Sequence, residues 1–445
     1  MSGIIGIELR RSSVLLAGAG TAVLGAAGLY VLAFTGQTGL WDQQWNLLAA
    51  FQRIMLVVLW PLALAAGAWQ AGRDRRSRIE ELLGSTPAPG WRRLRPSALA
   101  AALGLTVGYL LVLAAGAPRV ATAAGYPGSG WWAVTAVGVL ALVAAGFLGL
   151  GVGRLLPYAY TPAVLGAGSL ASLLAAIEAT KIGDATKPGP ALLLPFFTST
   201  LSEFQTVGGS VSAGQAWWLA GLVAGGLVLY LATNRLVRVL AVVPPLLGLA
   251  LATPLLTITA EKAFPIDPAA VTEVCTTDGG PRVCVTAAHS RTLPTVVAPS
   301  REALRLLATL PNAPASVHEA VPGLGRPQPA SEAWVDAGNL SQTDDPAELT
   351  ARILAGAGTP LCTDDDESAS LDVLRARAVT AAWLYGRHPA PGPAFSAAEQ
   401  NLRDKMWATL VALPAAEQER RVAAVRTAGL TCGDQAAALG AGAGR

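Results

Sequence analysis

The sequence predicts an all-α polytopic membrane protein of about seven transmembrane helices, with a C-terminal domain outside the membrane that is mainly helical and carries a small β-hairpin. Three observations predict it. Of 445 residues, 52% are hydrophobic and 14% are charged, against roughly 25% charged in soluble domains. That average hides two populations. Residues 1 to about 260 are apolar runs broken by short polar loops, whereas the chain from about 261 onward is ordinary in composition and holds most of the acids, all three histidines and all four cysteines. Finally, the basic residues between the apolar runs fall on alternate sides.

A spanning helix needs about 20 mostly apolar residues. Seven runs are candidates: Ser13–Phe34, Leu48–Gln70, Ala98–Ala117, Trp132–Val152, Ala163–Ile177, Ala216–Ala232 and Val239–Ile258. The first is too long in its apolar part for a signal peptide, and the next follows soon after. The fifth is short, and Pro157 and Pro162 blur its start. Arg53, Glu178 and Lys181 read as residues at span ends, anchored at the interface by snorkelling.

Direction follows from the lysines and arginines of short loops. One alternating set of loops holds Arg10, Arg11, the seven arginines between Arg73 and Arg95, Arg154, Arg235 and Arg238. The other holds Arg119, Lys181 and Lys187, with Arg53 near a span end. Twelve against four puts the N-terminus in the cytoplasm and, after seven crossings, the C-terminal region outside. The first half is basic and the second acidic, and neither reads as a nucleic-acid surface.

Cys275, Cys284, Cys362 and Cys432 all fall in the region placed outside, which reads as two disulfides. Three pairings exist. "VTEVCTTDGGPRVCVTA" alternates like two strands around an Asp-Gly-Gly-Pro turn, which favours Cys275–Cys284 and leaves Cys362–Cys432. The outside region, residues 259–445, is long enough for its own core. Its helices are announced by their caps: "PSREALRLLATL" by Ser300, "DDPAELTARILAGAG" by Asp345 with Pro346 at the first helical position, and "SAAEQNLRDKMWATLVALP" by a Ser396–Glu399 capping box. "DDDESASLDVLRARAVTAAWLYGR" puts Leu371, Leu374, Ala378 and Ala381 on one face. "PAAEQERRVAAVRTAGL" closes the set, and "AAALGAGAGR" reads as a loose tail.

The same region offers no catalytic constellation. His318-Glu319 lacks the second histidine of a zinc-protease helix. His289 and His388 have no metal-ligand spacing and read as surface or packed histidines. Asp364, Asp365, Asp366 and Glu367 read as acids favouring a helix N-terminus, and Asn339-Leu340-Ser341 matches a glycosylation sequon. No metal site is expected, and the chain is read as not an enzyme. No Gly-x-x-x-x-Gly-Lys-Ser/Thr loop occurs anywhere, so the chain has no phosphate-gripping loop of its own.

The stretch "RDRRSRIEELLGSTPAPGWRRLR", Arg73 to Arg95, lies between the second and third runs. Its arginines hold it on the cytoplasmic side. "RIEELLGS" suits a short helix along the membrane, with Leu82 and Leu83 as an apolar patch and Pro87 and Pro89 ending it. A short amphipathic segment, "IIGIELRRS", precedes the first span. "GPALLLPFFTSTLSEF", Gly189–Phe204, is too short and proline-broken to cross. Together these features resemble the ABC-2 type permeases, the membrane subunits of ATP-driven ABC exporters, over about residues 1–238. The resemblance implies a connecting helix at the N-terminus and a re-entrant or interfacial element at Gly189–Phe204. It also implies an ATPase-coupling loop in which Arg78, Glu80, Glu81, Leu82, Leu83 and Pro87 seat on a separate ABC ATPase.

The resemblance further implies a multi-pass protein of the bacterial cell membrane, paired with a second permease copy or a paralogue. ATP is then used by the partner, and no cofactor is bound by this chain. Residues 239–258 add a seventh span beyond the usual six, and 259–445 resemble no family. Against the exporter stands a non-transporting sensor or binding protein acting through the outside domain, and, more remotely, a polytopic membrane enzyme.

Overall fold

A computed structural model describes residues 14–34, 41–73, 90–182, 188–197, 201–321, 329–336, 345–362, 371–389 and 396–440. The chain divides into two compact units, Met1–Asp267 and Pro268–Arg445.

The first unit is helical: α1 Val14–Phe34, α2 Trp45–Ile54, α3 Leu56–Ala71, α4 Gly90–Ala123, α5 Trp131–Leu155, α6 Thr161–Ile182, α7 Gly209–Leu231, α8 Arg235–Leu240, α9 Val243–Leu256 and the short α10 Ala260–Ala263. Among the described residues, five helices or helix pairs are long and apolar enough to cross a membrane, or six if the bent pair α2–α3 is one span; Leu16–Val31 within α1 is a shorter apolar stretch. The second expected run is therefore not one straight helix. It breaks at Met55, where α2 and α3 meet at 53°. Pro61, within α3, has no N–H to donate and crowds the carbonyl of Val57, so the ladder is weakest just past the break.

Leucine, valine and tryptophan side chains such as Leu62, Trp69, Val107, Trp132, Val164 and Leu246 remain exposed on this unit. Inside it, small residues let backbones touch. A Cβ on Gly149 would lie 2.1 Å from the Leu64 carbonyl oxygen, and one on Gly67 2.2 Å from that of Gly146, so α3 and α5 meet only because these positions are glycine. At one end of the bundle, Ser129 and Tyr126 donate to the Asp267 carboxylate at 2.7 and 3.0 Å, and Thr206 Oγ1 donates to the Ser129 carbonyl. Gly208 N–H donates to Ala263 O at 2.9 Å. Burial, with the hydrogen bond to Asp267, pushes the Tyr126 hydroxyl above its ordinary range.

The second unit is mainly helical, as expected, but its β element is a four-stranded mixed sheet and not a lone hairpin. Strands β1 Glu273–Thr276, β2 Val283–Thr286, β3 Ser316–Ala320 and β4 Glu332–Asp336 form one sheet in the order β1-β2-β3-β4. β1 and β2 are the expected antiparallel hairpin, with Cys275 opposite Cys284, but β2–β3 and β3–β4 are parallel. Val283, Val285, Val317 and Val335 pack into the core with α11 Leu293–Leu307, α12 Pro346–Leu354, α13 Leu371–Tyr385, α14 Ala397–Val411, α15 Ala415–Leu430 and α16 Gln435–Leu439.

Asp345 caps α12 through the Ala347 N–H, and Ser396 with Glu399 forms the capping box of α14. That hydrogen bonding, led by the Ser396 side chain, holds the Glu399 carboxyl below its usual range. Ser300 is not a cap. α11 begins at Leu293 with Pro294 in its first turn, and Ser300 is fully buried mid-helix, because burying Val296, Ala303, Leu304 and Leu307 outweighs the hydrogen bond lost at Pro299. α13 buries Ala376, Val379, Thr380 and Leu384, while Leu371 is exposed. The expected loose tail is partly core: Asp434 caps α16, and Ala436 and Leu439 are buried.

Candidate functional sites

The residues of the ATPase-coupling loop, Arg78, Glu80, Glu81, Leu82, Leu83 and Pro87, lie outside the described residues, as do Asp364 to Glu367, Asn339 and Ser341. Both disulfides, Cys275–Cys284 and Cys362–Cys432, form as expected.

Within the helical unit the structure gathers polar groups where the apolar reading of the spans left none. Arg53 ends α2 and is 1% exposed, so it is a buried residue and not an interfacial anchor. Its Nε donates to the Pro195 carbonyl at 2.9 Å, and its Nη2 donates to Gln215 Oε1 on α7 at 3.2 Å. The guanidinium carbon stands 4.8 Å from the centre of the Phe197 ring. Gln215 Nε2 donates onward to Leu192 O at 2.9 Å, and Trp218 Nε1 to Leu193 O at 3.1 Å.

These acceptors belong to one segment. Gly189–Leu193 is a single 3₁₀ turn, and Leu192, Phe196 and Phe197 after its start are buried against the helices. A segment of non-helical backbone surrounded by apolar helices has carbonyls with no intrahelical donor, and each must be met. Arg53, Gln215 and Trp218 meet three of them or steady the groups that do. The described part of the segment expected to be re-entrant or interfacial, residues 189–197, thus packs against the helices and accepts a hydrogen bond from Arg53. The signal was present in the sequence: a basic residue inside an apolar run, preceded by Gln52, in "AAFQRIMLVV", with Gln215 inside a second run.

The second unit offers a polar sheet face. Alternation puts Val283 and Val317 on the core side and Cys284 and His318 on the other. Glu273, Cys275, Arg282, Cys284, His318 and Trp334 therefore share one face. His318 is 6% exposed; its Nδ1 lies 3.2 Å from Glu273 Oε1 and its Nε2 3.1 Å from Ser316 Oγ. On the core side Glu319 receives the Thr286 N–H at 2.6 Å and pairs with His289 Nδ1 at 2.5 Å, both side chains buried. His289 and His318 are therefore packed residues, whereas His388 is exposed. The sulfurs of Cys275 and Cys284 lie with a Glu273 carboxylate oxygen within 4.8 Å of one another, a metal-like grouping whose two sulfurs are bonded to each other.

No family model, curated protein or solved structure matches the chain.

Proposed function

We propose that the chain is the membrane-spanning permease subunit of an ATP-driven ABC exporter, powered by a separate ATPase subunit and paired with a second permease copy or a paralogue. The observation that carries this reading is the seat of Gly189–Phe197 in the bundle, held through Arg53 at the break between α2 and α3. A permease must pass between two arrangements of its helices. A bent span whose break is pinned by a few polar contacts gives such a transition a defined place. α3 runs from that break toward the loop of Arg73–Arg95, so force applied to the loop reaches the break along one helix. The absence of a phosphate-gripping loop in the sequence assigns ATP to the partner. α6, with Val164, Leu170 and Leu174 exposed, offers a surface to lipid or to the second permease copy.

On this reading the N-terminus is cytoplasmic and residues 259–445 are extracytoplasmic. The polar sheet face favours a second reading, a membrane-anchored binding protein or sensor, since a built polar face suits ligand capture better than it suits transport. The double variant Glu81→Ala with Leu82→Ala separates them. It keeps every arginine, so the chain should insert and reach wild-type abundance, yet lose its co-purifying ATPase. Retention of the ATPase with full ATP-dependent activity would reject the coupling role.

A further inference from the structure

We propose that Cys275–Cys284 is a thiol-exchange site, a redox-active disulfide that reacts with dithiols of its compartment, and not only a staple of the hairpin. Three features of the polar sheet face carry this. The first is charge. Arg282 Nε lies 3.2 Å from Cys284 Sγ and its Nη2 3.3 Å from Cys275 Sγ, so one guanidinium reaches both sulfurs. A cation so placed stabilises thiolates, which appear only on reduction, against the opposing Glu273 carboxylate that lies within 4.8 Å of both sulfurs. The second is access. Cys275 is exposed, whereas Cys284 is 1% exposed. An incoming thiolate therefore meets one sulfur, and the buried sulfur is the leaving group held by the guanidinium. The third is that the strands are paired by more than the bond. Four residue pairs from Glu273↔Thr286 to Thr276↔Val283 keep β1 and β2 in register, so the reduced state keeps its sheet and its thiolates stay beside Arg282.

The exchange balances as follows. A thiolate of the dithiol attacks Cys275 Sγ; the Cys275–Cys284 bond breaks and its electron pair goes to Cys284 Sγ as a thiolate. The dithiol's second thiolate then attacks its own sulfur in the mixed disulfide and releases Cys275 as a thiolate. The chain gains two electrons, the dithiol becomes a disulfide, and its two protons go to solvent or to the new thiolates. A stabilised reduced form makes a disulfide more oxidising. Cys362–Cys432 serves as an internal reference, because among the described residues its Cys362 sulfur contacts the Gly429 carbonyl.

The test equilibrates the full detergent-solubilised chain in dithiothreitol buffers of graded poise, then counts thiols per peptide by alkylation and mass spectrometry. Cys275–Cys284 should reduce at a poise that leaves Cys362–Cys432 oxidised, and the quenched intermediate should carry dithiothreitol on Cys275. Arg282→Gln should make the hairpin disulfide harder to reduce by on the order of tenfold in the exchange constant, about 30 mV, without moving Cys362–Cys432. Arg282→Lys, which keeps the charge, should restore part of that shift. Reduction of both disulfides together, an adduct on Cys284, or an unchanged constant in Arg282→Gln would each overturn the proposal.

Discussion

Each unit buries an arginine among uncharged oxygens, and the two are used differently. In the second unit Arg426 donates to the carbonyls of Ala357 and Ala330 at 2.7 Å each, and to that of Glu332 at 3.1 Å. It fastens a turn in which Gly356, Ala357 and Gly358 all have positive φ, a conformation that costs the alanine most. Burial lowers its guanidinium to about 10. Arg377, Gln435 and Thr359 crowd the same turn with further hydrogen bonds. In the helical unit Arg53 works with Gln215, and its bonds join a helix break to a segment more than a hundred residues away.

The rule is common to both: buried backbone that is not helix or sheet needs donors, and arginine supplies five from a fixed fork. The difference lies in how rare the need is. A soluble core of short elements meets it at many turns, so a buried arginine there marks scaffold. A bundle of apolar helices meets it only where the backbone departs from helix, so a buried arginine there marks the departure, the place where a working membrane protein differs from a packed bundle.

The comparison presupposes that the two units face different surroundings. The largest effect expected is therefore all-or-none: a reporter active only outside the cytoplasm, fused after Arg445, should be active, and a cytoplasm-only reporter silent. The reverse pattern would break the comparison at its root.

Next come the arginines themselves. Arg426→Met strands several buried acceptors and should destabilise the second unit by about 4 kcal/mol; Arg53→Met strands fewer and should cost the helical unit about 3 kcal/mol. Hydrogen exchange on the full chain, read unit by unit, should show each loss confined to its own unit. Only Arg53→Met should also abolish ATP-dependent activity at a temperature where the chain stays folded. Activity surviving in Arg53→Met would reduce Arg53 to scaffold like its counterpart.

A smaller difference separates the disulfides. They join residues 70 and 9 apart. On the chain-entropy account, loss of the longer link costs about 4 kcal/mol and loss of the shorter about 3 kcal/mol. Cys432→Ser should therefore lower the unfolding midpoint of the second unit more than Cys284→Ser, and the opposite order would show that the hairpin link carries more of the fold than its loop length allows.

The two units were not equally legible in the sequence. Most of the long apolar helices could be read because apolar length is a local property; α5, Trp131–Leu155, differs little from the run that announced it. The hairpin, its disulfide, the Asp345 cap and the Ser396–Glu399 box are local as well. What escaped depends on distant partners. The break at Met55 is marked in the sequence by Pro61 alone, six residues on in the apolar run "IMLVVLWPLAL", and the burial of Arg53 is decided by Pro195 and Gln215. "SVHEA" and "EAWVD" are short and half polar, and they become strands only through the parallel pairing of His318 with Trp334 and its neighbours. Arg426 sits in "RRVAAVRTAGL" beside the exposed Arg420 and the half-buried Arg421, and the turn at Ala357 singles it out. Ser300 misled for the complementary reason: a good cap residue followed by a helical pattern was overruled by the burial of the turn before it.

The central claim is that this chain works as one part of an ATP-driven transporter. Its most direct test is gentle purification of the full chain from membranes at native abundance, followed by identification of what accompanies it. The account predicts a stoichiometric ATP-binding subunit carrying the Gly-x-x-x-x-Gly-Lys-Ser/Thr loop that this chain lacks, together with a second permease chain. Recovery of the intact chain without any nucleotide-binding protein would contradict it.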